Sequence, residues 1–471
     1  MEVGKMKRNT PWLSVTLILT LIFNFLVTSK SIEAKQNQEL DVKETGEMES
    51  SKGKPQMYLI PTNDPEKADE AIKQLQQGKS PKELGLISDQ QYAPRKQTLE
   101  QMASEAAKSK KTYPVKMDLV KTADQGDDWT PPPFDYDDIQ FDACVENENA
   151  SKGWIKNHYS YCWSNYIVYS DPAGCGPSSF PFFCDWVSFR LTVIGNSYNG
   201  QRTVSYNYKV DDIQTDLDSR GWIGSKVSVS IKCDGISESR DCIGDDSPTT
   251  RTLAQWRSND DGSTIFDSDP PPITAGNKDQ VSFMDLWPRV TIDPPGNKFP
   301  PLTEDGPKEK IRMDSADYLF VFNPHFYPKE GAIFANVHPV FYYDMNNSYF
   351  NVMTEAFQHH KDALMSPGSL IPGIQGRPPL TRMYSKYDSV QYNANRKAKD
   401  AACSKLSKPE GYECDEFPFA STYEGAGTGD GRFSVRYIPR AANNTHGRWL
   451  AAWYAYDRIL HKDQFYIGFN E

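Results

Sequence analysis

"GYECDEFPFASTYEGAGTGDGRFSVRYIP" occupies Gly411–Pro439. It sets two adjacent acids, Asp415 and Glu416, between Cys414 and the apolar step Phe417-Pro418-Phe419-Ala420. A third acid, Glu424, opens the glycine-rich run EGAGTGDG, and RFSVRYIP (Arg432–Pro439) alternates as a strand. Surface acids are ordinarily solvated. Apolar neighbours predict that these are at least partly buried, and a buried carboxylate must be paired, protonated or bound to a cation. The glycine run lacks the Lys-Ser/Thr ending of a phosphate loop and leads into a strand, so it reads as a turn.

The flanks give this segment a frame. NANRKAKDAACSKL (Asn393–Leu406) reads as a helix that carries Cys403 toward Cys414. NNTHGRWLAAWYAYDRIL (Asn443–Leu460) reads as a helix with an asparagine cap, and Trp449, Leu450 and Trp453 form its core face. DQFYIGF closes as a strand. Upstream, Met353–Met365 is helical and carries His359 and His360. Adjacent residues on a helix project in different directions, so these two are expected on the surface and not in one metal site. SPGSLIPGIQGRPPLTR (Ser366–Arg382) is a Pro/Gly linker.

The middle of the chain changes character. From about Ala143 to Val290, aromatic and β-branched residues alternate with polar ones, as in YSYCWSNYIVYS, DWVSFRLTVIG and TVSYNYKVDDI. NSYNG is a hairpin signal between two such runs. The pattern predicts an antiparallel sandwich. YLFVFNPHFY and AIFANVHPVFYYD extend it, across a Pro-rich loop at Pro294–Lys310. The fold class is therefore α+β. Before this region, Lys35 to about Asp128 is polar, part helix and part linker or loosely folded pro-segment. One helix is expected at Pro65–Gly78, capped by Asp64, and a second at Thr98–Lys111.

Lys5, Lys7 and Arg8 precede an apolar run, Leu13–Val27, with Ala34 as a small residue at a cleavage point. That order is a secretory signal peptide. The run contains Asn24 and is short for a membrane span. The mature chain is expected to be exported, soluble and free of the membrane. Its eight cysteines suit that compartment. Close spacing suggests Cys175–Cys184, Cys233–Cys242 and Cys403–Cys414, leaving Cys144 with Cys162; spacing alone does not prove the pairing. A formal net charge of −11 argues against coating nucleic acid by bulk electrostatics, though not against a local cleft with a few cations. The expected divisions are 1–34, 35–128, 129–350, 351–380 and 381–471.

The run CDEFPFASTYEG, with NANR before it and the Asn-Asn helix after it, resembles the NucA/NucB family of exported bacterial deoxyribonucleases. The resemblance is strong over Asn393–Phe469. It implies a small ββα-metal-type nuclease domain after the sandwich. It implies a divalent cofactor, Mg²⁺ or Mn²⁺, and DNA as substrate. In this branch an aspartate replaces the histidine general base of other ββα nucleases. Carried over, Asp415 activates water, Glu424 and Asn444 bind metal, and Glu416 is a ligand or supports one. Which of Asn443 and Asn444 matches stays open. Arg432, Arg436, Arg440 and Arg448 are candidates for flanking phosphates. Arg432 and Arg436 share one face of a strand, which a solvated edge would also explain. His446 is a candidate substrate contact or base, and an incidental histidine otherwise. Two other functions fit the same sequence. One is an exported binding or adhesion protein with an inactive nuclease-like tail. The other is a toxin-type nuclease, which would need a protein inhibitor; a ribonuclease is a variant.

Overall fold

In Thr203–Thr215 buried and half-buried residues alternate, so one face of the strand, with Val204, Tyr206, Tyr208 and Val210, points inward. The computed structural model describes residues 55–86, 112–114, 136–171, 185–215, 224–235, 241–294, 300–319 and 328–470. In it the strand lies in an antiparallel sheet, ordered Gln56–Ile60, Ser160–Ser170, Trp186–Ser197, Thr203–Thr215, Asp261–Asp267 and Ile243–Gly244. A second antiparallel sheet runs Gly331–Phe334, Glu309–Asp314, Ser282–Asp293, Lys226–Gly235 and Thr249–Thr252. Residues of both sheets form one apolar core, including Trp163, Phe189 and Tyr206 from the first and Val229, Leu286, Ile311 and Phe334 from the second. The fold is α+β with antiparallel sheets.

Ser160–Ser170 is buried along its whole length. Its outer face is covered by the helix Pro65–Gln76, whose Ile72 and Leu75 pack with Tyr166 and Val168. Asp64 caps that helix by accepting from the Glu66 and Lys67 N–H groups. The strand Gln56–Ile60 belongs to the stretch read as polar and helical; five residues are too few to stand out there. The stretch Pro294–Lys310, expected as loop, is partly sheet. It contains the strand Leu302–Asp305 and the start of Glu309–Asp314. Asp305 on the first of these strands pairs bidentately with Arg289 at 2.6 and 2.7 Å.

Disulfides join Cys144–Cys162, Cys233–Cys242 and Cys403–Cys414. The Cys175–Cys184 pair, the signal peptide, the helix at 98–111 and most of YLFVFNPHFY lie outside the described residues. Among the described residues no helix is long and apolar enough to cross a membrane.

The C-terminal unit has its own core. Gln464–Asn470 pairs in parallel with His338–Asp344 and antiparallel with Leu380–Thr381. Tyr412–Phe417 and Ser434–Pro439 form a hairpin, followed directly by the helix Arg440–Tyr456. Phe341, Tyr343, Phe357, Phe417, Trp449, Trp453 and Phe465 are buried together. The strand His338–Asp344 precedes the expected boundary at 350 but is sheet and core of this unit. The two units also interlock. Arg458, fully buried, donates to Asp314 at 2.8 and 2.5 Å and to Asn199 at 3.0 Å. Tyr159 donates its hydroxyl to the Tyr456 carbonyl at 2.5 Å.

Candidate active site

Burial along Tyr412–Phe417 alternates at its end, so Asp415 and Phe417 point inward while Glu416 is half-buried. Three elements hold this strand. The Cys403–Cys414 disulfide ties it to the end of the helix Ser389–Cys403. The second strand of the hairpin pairs Arg436 opposite Asp415. The helix Thr354–Met365 packs behind it.

A cleft of ≈ 560 Å³ opens in front of the strand. Asp415, Glu416, Asn443, His446, Arg396 and Lys399 are among the residues that line it. Asn395, on the same helix as Arg396, is almost wholly buried and holds the backbone around the cleft-lining Ala420. Asn395 donates to the Ala420 and Thr422 carbonyls at 3.1 and 2.8 Å and accepts from the Gly427 N–H at 2.9 Å. A Cβ on Gly427 would stand 2.6 Å from the Ala394 backbone, so this glycine is required for close approach to the helix. The glycine run is more than a turn.

His359 and His360 overturn the expectation of a surface position. Both are fully buried. His359 Nδ1 lies 2.7 Å, and His360 Nε2 2.9 Å, from the same oxygen, Asp415 Oδ2. One ring engages through its near nitrogen and the other through its far nitrogen, which compensates for their different directions from the helix. Together with Asp415 they form a group whose ligand atoms lie within 4.8 Å of one another and which could hold a metal ion. A signal for their burial was present. Ala356, Phe357, Ala363 and Leu364 are buried on the same helix, and the histidines fill the gap in that stripe.

The two acids titrate in opposite directions. Burial alone would raise Asp415, but His360 and His359 beside it hold its carboxyl well below the usual range. Burial pushes Glu416 up to about 7, with Asp415 adding to the rise and Lys399, 3.5 Å away, opposing it. His446 is buried and lines the cleft. Burial, reinforced by His360, drops it to about 3, so it is neutral, and its Nε2 lies 2.9 Å from the Tyr343 hydroxyl.

The remaining residues implied by the resemblance are dispersed. Glu424 accepts the Thr381 N–H at 2.7 Å and is not among the cleft-lining residues. Asn444 is exposed, because the helix begins at Arg440 instead of Asn443; it is Asn443 that lines the cleft. Arg432 pairs with Asp430 at 2.7 Å and Arg436 with Asp362 at 2.8 Å. Arg448 is exposed, with Nη2 3.4 Å from Thr445 Oγ1. None of these three arginines lines the cleft. The cleft cations are Arg382, Arg396 and Lys399. Arg396 and Lys399, three apart, share a helix face and were legible in NANRKAK as a basic stripe.

The hairpin and the helix that follows it thus bring Asp415, Glu416 and Asn443 to one cleft with Arg382, Arg396 and Lys399. Residues 375–468, in the C-terminal region, match the family model for deoxyribonuclease NucA/NucB. No curated protein and no solved structure matches the chain.

Proposed function

We propose that the chain is an exported, metal-dependent endonuclease that hydrolyses DNA phosphodiesters in the cleft before Asp415. The observation that carries the reading is a buried, ionised Asp415 beside a Glu416 raised to about 7, between Asn443 and the Arg396–Lys399 stripe, inside the NucA/NucB match. The donor set suits a hard divalent cation such as Mg²⁺ or Mn²⁺, since Glu416 and Asn443 offer oxygen atoms. Burial leaves Glu416 incompletely compensated by Lys399, which is the situation a cation relieves. In this reading Glu416 and Asn443 hold the ion, in place of Glu424 and Asn444. Such an ion, when bound, stabilises charge that builds on the phosphate during attack.

Asp415 takes the proton of the attacking water. All its side-chain hydrogen bonds use Oδ2, which leaves Oδ1 for that task. A lowered carboxyl is a weak base, and its advantage is that it is always deprotonated and positioned. Arg396 and Lys399 hold flanking phosphates as positive charges. Disulfides, and the absence of a membrane-crossing helix among the described residues, are consistent with export. The test is plasmid nicking by the full chain, with Mg²⁺ or Mn²⁺ and with chelator, with RNA offered in parallel. Cation-dependent nicking is expected. An intact plasmid under every cation would favour a binding protein with an inactive tail.

A further inference from the structure

The Thr354–Met365 helix ends before residue 375, where the family match begins. It nonetheless supplies both hydrogen-bond partners of Asp415 Oδ2. The surrounding network is closed. His359 Nε2 lies 2.9 Å from Ser434 Oγ, on the facing strand of the hairpin. His360 Nδ1 lies 2.9 Å from the Tyr343 hydroxyl, and that hydroxyl lies 2.9 Å from His446 Nε2. Tyr343, His359, His360 and His446 are all buried.

One set of tautomers satisfies every bond. The Ser434 hydroxyl donates to His359 Nε2, so His359 carries its proton on Nδ1 and donates to Asp415. The Tyr343 hydroxyl donates to His360 Nδ1, so His360 carries its proton on Nε2 and donates to the same oxygen. His446 Nε2–H then donates to the Tyr343 oxygen. In this arrangement His359 and His360 each use one ring N–H donor and one ring acceptor. A metal ion at His359, His360 and Asp415 would displace both N–H protons from this arrangement, and no polar atom of the network needs it.

We propose that His359 and His360 are positioning residues, a two-pronged clamp on Asp415 Oδ2 that fixes the carboxylate so that Oδ1 faces the cleft. The clamp comes from a segment upstream of the family match and makes Thr354–Met365 part of the catalytic unit. This rests on the reading of Asp415 as the base. Orientation of a base acts on the chemical step more than on substrate binding, so its loss lowers kcat and leaves KM nearly unchanged.

Paired variants of the full chain test it. His359→Asn keeps a donor at the Nδ1 position and His360→Gln keeps one at Nε2. His359→Leu and His360→Met keep bulk and lose the donor. The donor-retaining pair is expected within about threefold of the unmodified kcat, and the donor-lacking pair down about 10- to 100-fold with KM within about twofold. If the donor-lacking variants do not fold, Tyr343→Phe is read instead. It removes the hydroxyl that sets the His360 tautomer, and kcat is expected to fall about 3- to 10-fold at constant KM. Unmodified kcat in all folded variants overturns the clamp. So does an equal loss in donor-retaining and donor-lacking variants, or about one tightly bound transition-metal ion per chain that His359→Leu removes. Asp415→Asn separates the two readings. Unmodified cleavage by that variant sinks the nuclease reading itself, whereas an inactive Asp415→Asn beside normal histidine variants sinks only the clamp.

Discussion

Arg458→Met probes the joint between the β-rich and C-terminal units. The change keeps an apolar chain and removes the guanidinium. Asp314 loses donors at 2.8 and 2.5 Å, and Asn199 loses one at 3.0 Å. Both members of the Arg458–Asp314 pair are fully buried, so water cannot replace the lost bonds. Asp314 retains Arg312 Nη2 at 3.6 Å and the Ala316 N–H at 3.2 Å. Stranding one partner of a buried pair costs about 3–5 kcal/mol, and the remaining Arg312 places this case near the lower end, about 3 kcal/mol. Adding Asp314→Leu removes the stranded charge, and the double variant should recover about 2 kcal/mol of that loss. The assay is urea unfolding followed by tryptophan fluorescence, because Trp449 and Trp453 sit in the C-terminal core. A single variant within about 0.5 kcal/mol of the unmodified protein would refute the reasoning, as would a double variant no more stable than the single.

Glu416 gives a pH signature. Its carboxyl is raised to about 7 in the fold, against about 4.5 unfolded. Stability from the neutral form is fully present below the unfolded value and is lost as pH rises through about 7. Buried histidines such as His446 act in the opposite sense, in the unmodified chain and in Glu416→Gln alike, so the contribution is read as a difference. In chelator, the stability of the unmodified chain relative to Glu416→Gln should fall by about 3 kcal/mol between about pH 4.5 and 7.5. Asn443→Ala should raise the Mg²⁺ concentration needed for half-maximal cleavage about 10-fold or more, while Asn444→Ala leaves it unchanged, measured by cation titration of plasmid nicking. Replacing Cys403 and Cys414 by serine opens a loop with a separation of 11 residues, which should cost about 3 kcal/mol in urea unfolding.

The sequence reading succeeded where the signal was local. Alternation in Thr203–Thr215 showed its sandwich face, and Asp64 showed its helix cap. Asp415 was singled out because a carboxylate among Phe417, Pro418 and Phe419 is unusual. What failed were readings of residue type that tertiary packing overrode. His359 and His360 looked like surface residues because histidine is polar, but they occupy the buried stripe of their helix. The choice between Asn443 and Asn444 was not legible, because it depends on the helix starting directly after Pro439, which puts Asn443 in the cleft lining and leaves Asn444 exposed. Glu424 sits in the motif, yet its carboxylate serves the Thr381 backbone. The Arg458–Asp314 joint was invisible, since partners 144 residues apart carry no periodic or motif signal.

The most direct test of the account is the rate of supercoiled-plasmid nicking by the full chain and by its Asp415→Ala variant, both shown folded by thermal melting, in Mg²⁺. The account predicts cation-dependent nicking that falls by about 10²- to 10⁴-fold in the variant. Equal nicking by the two folded proteins would contradict it.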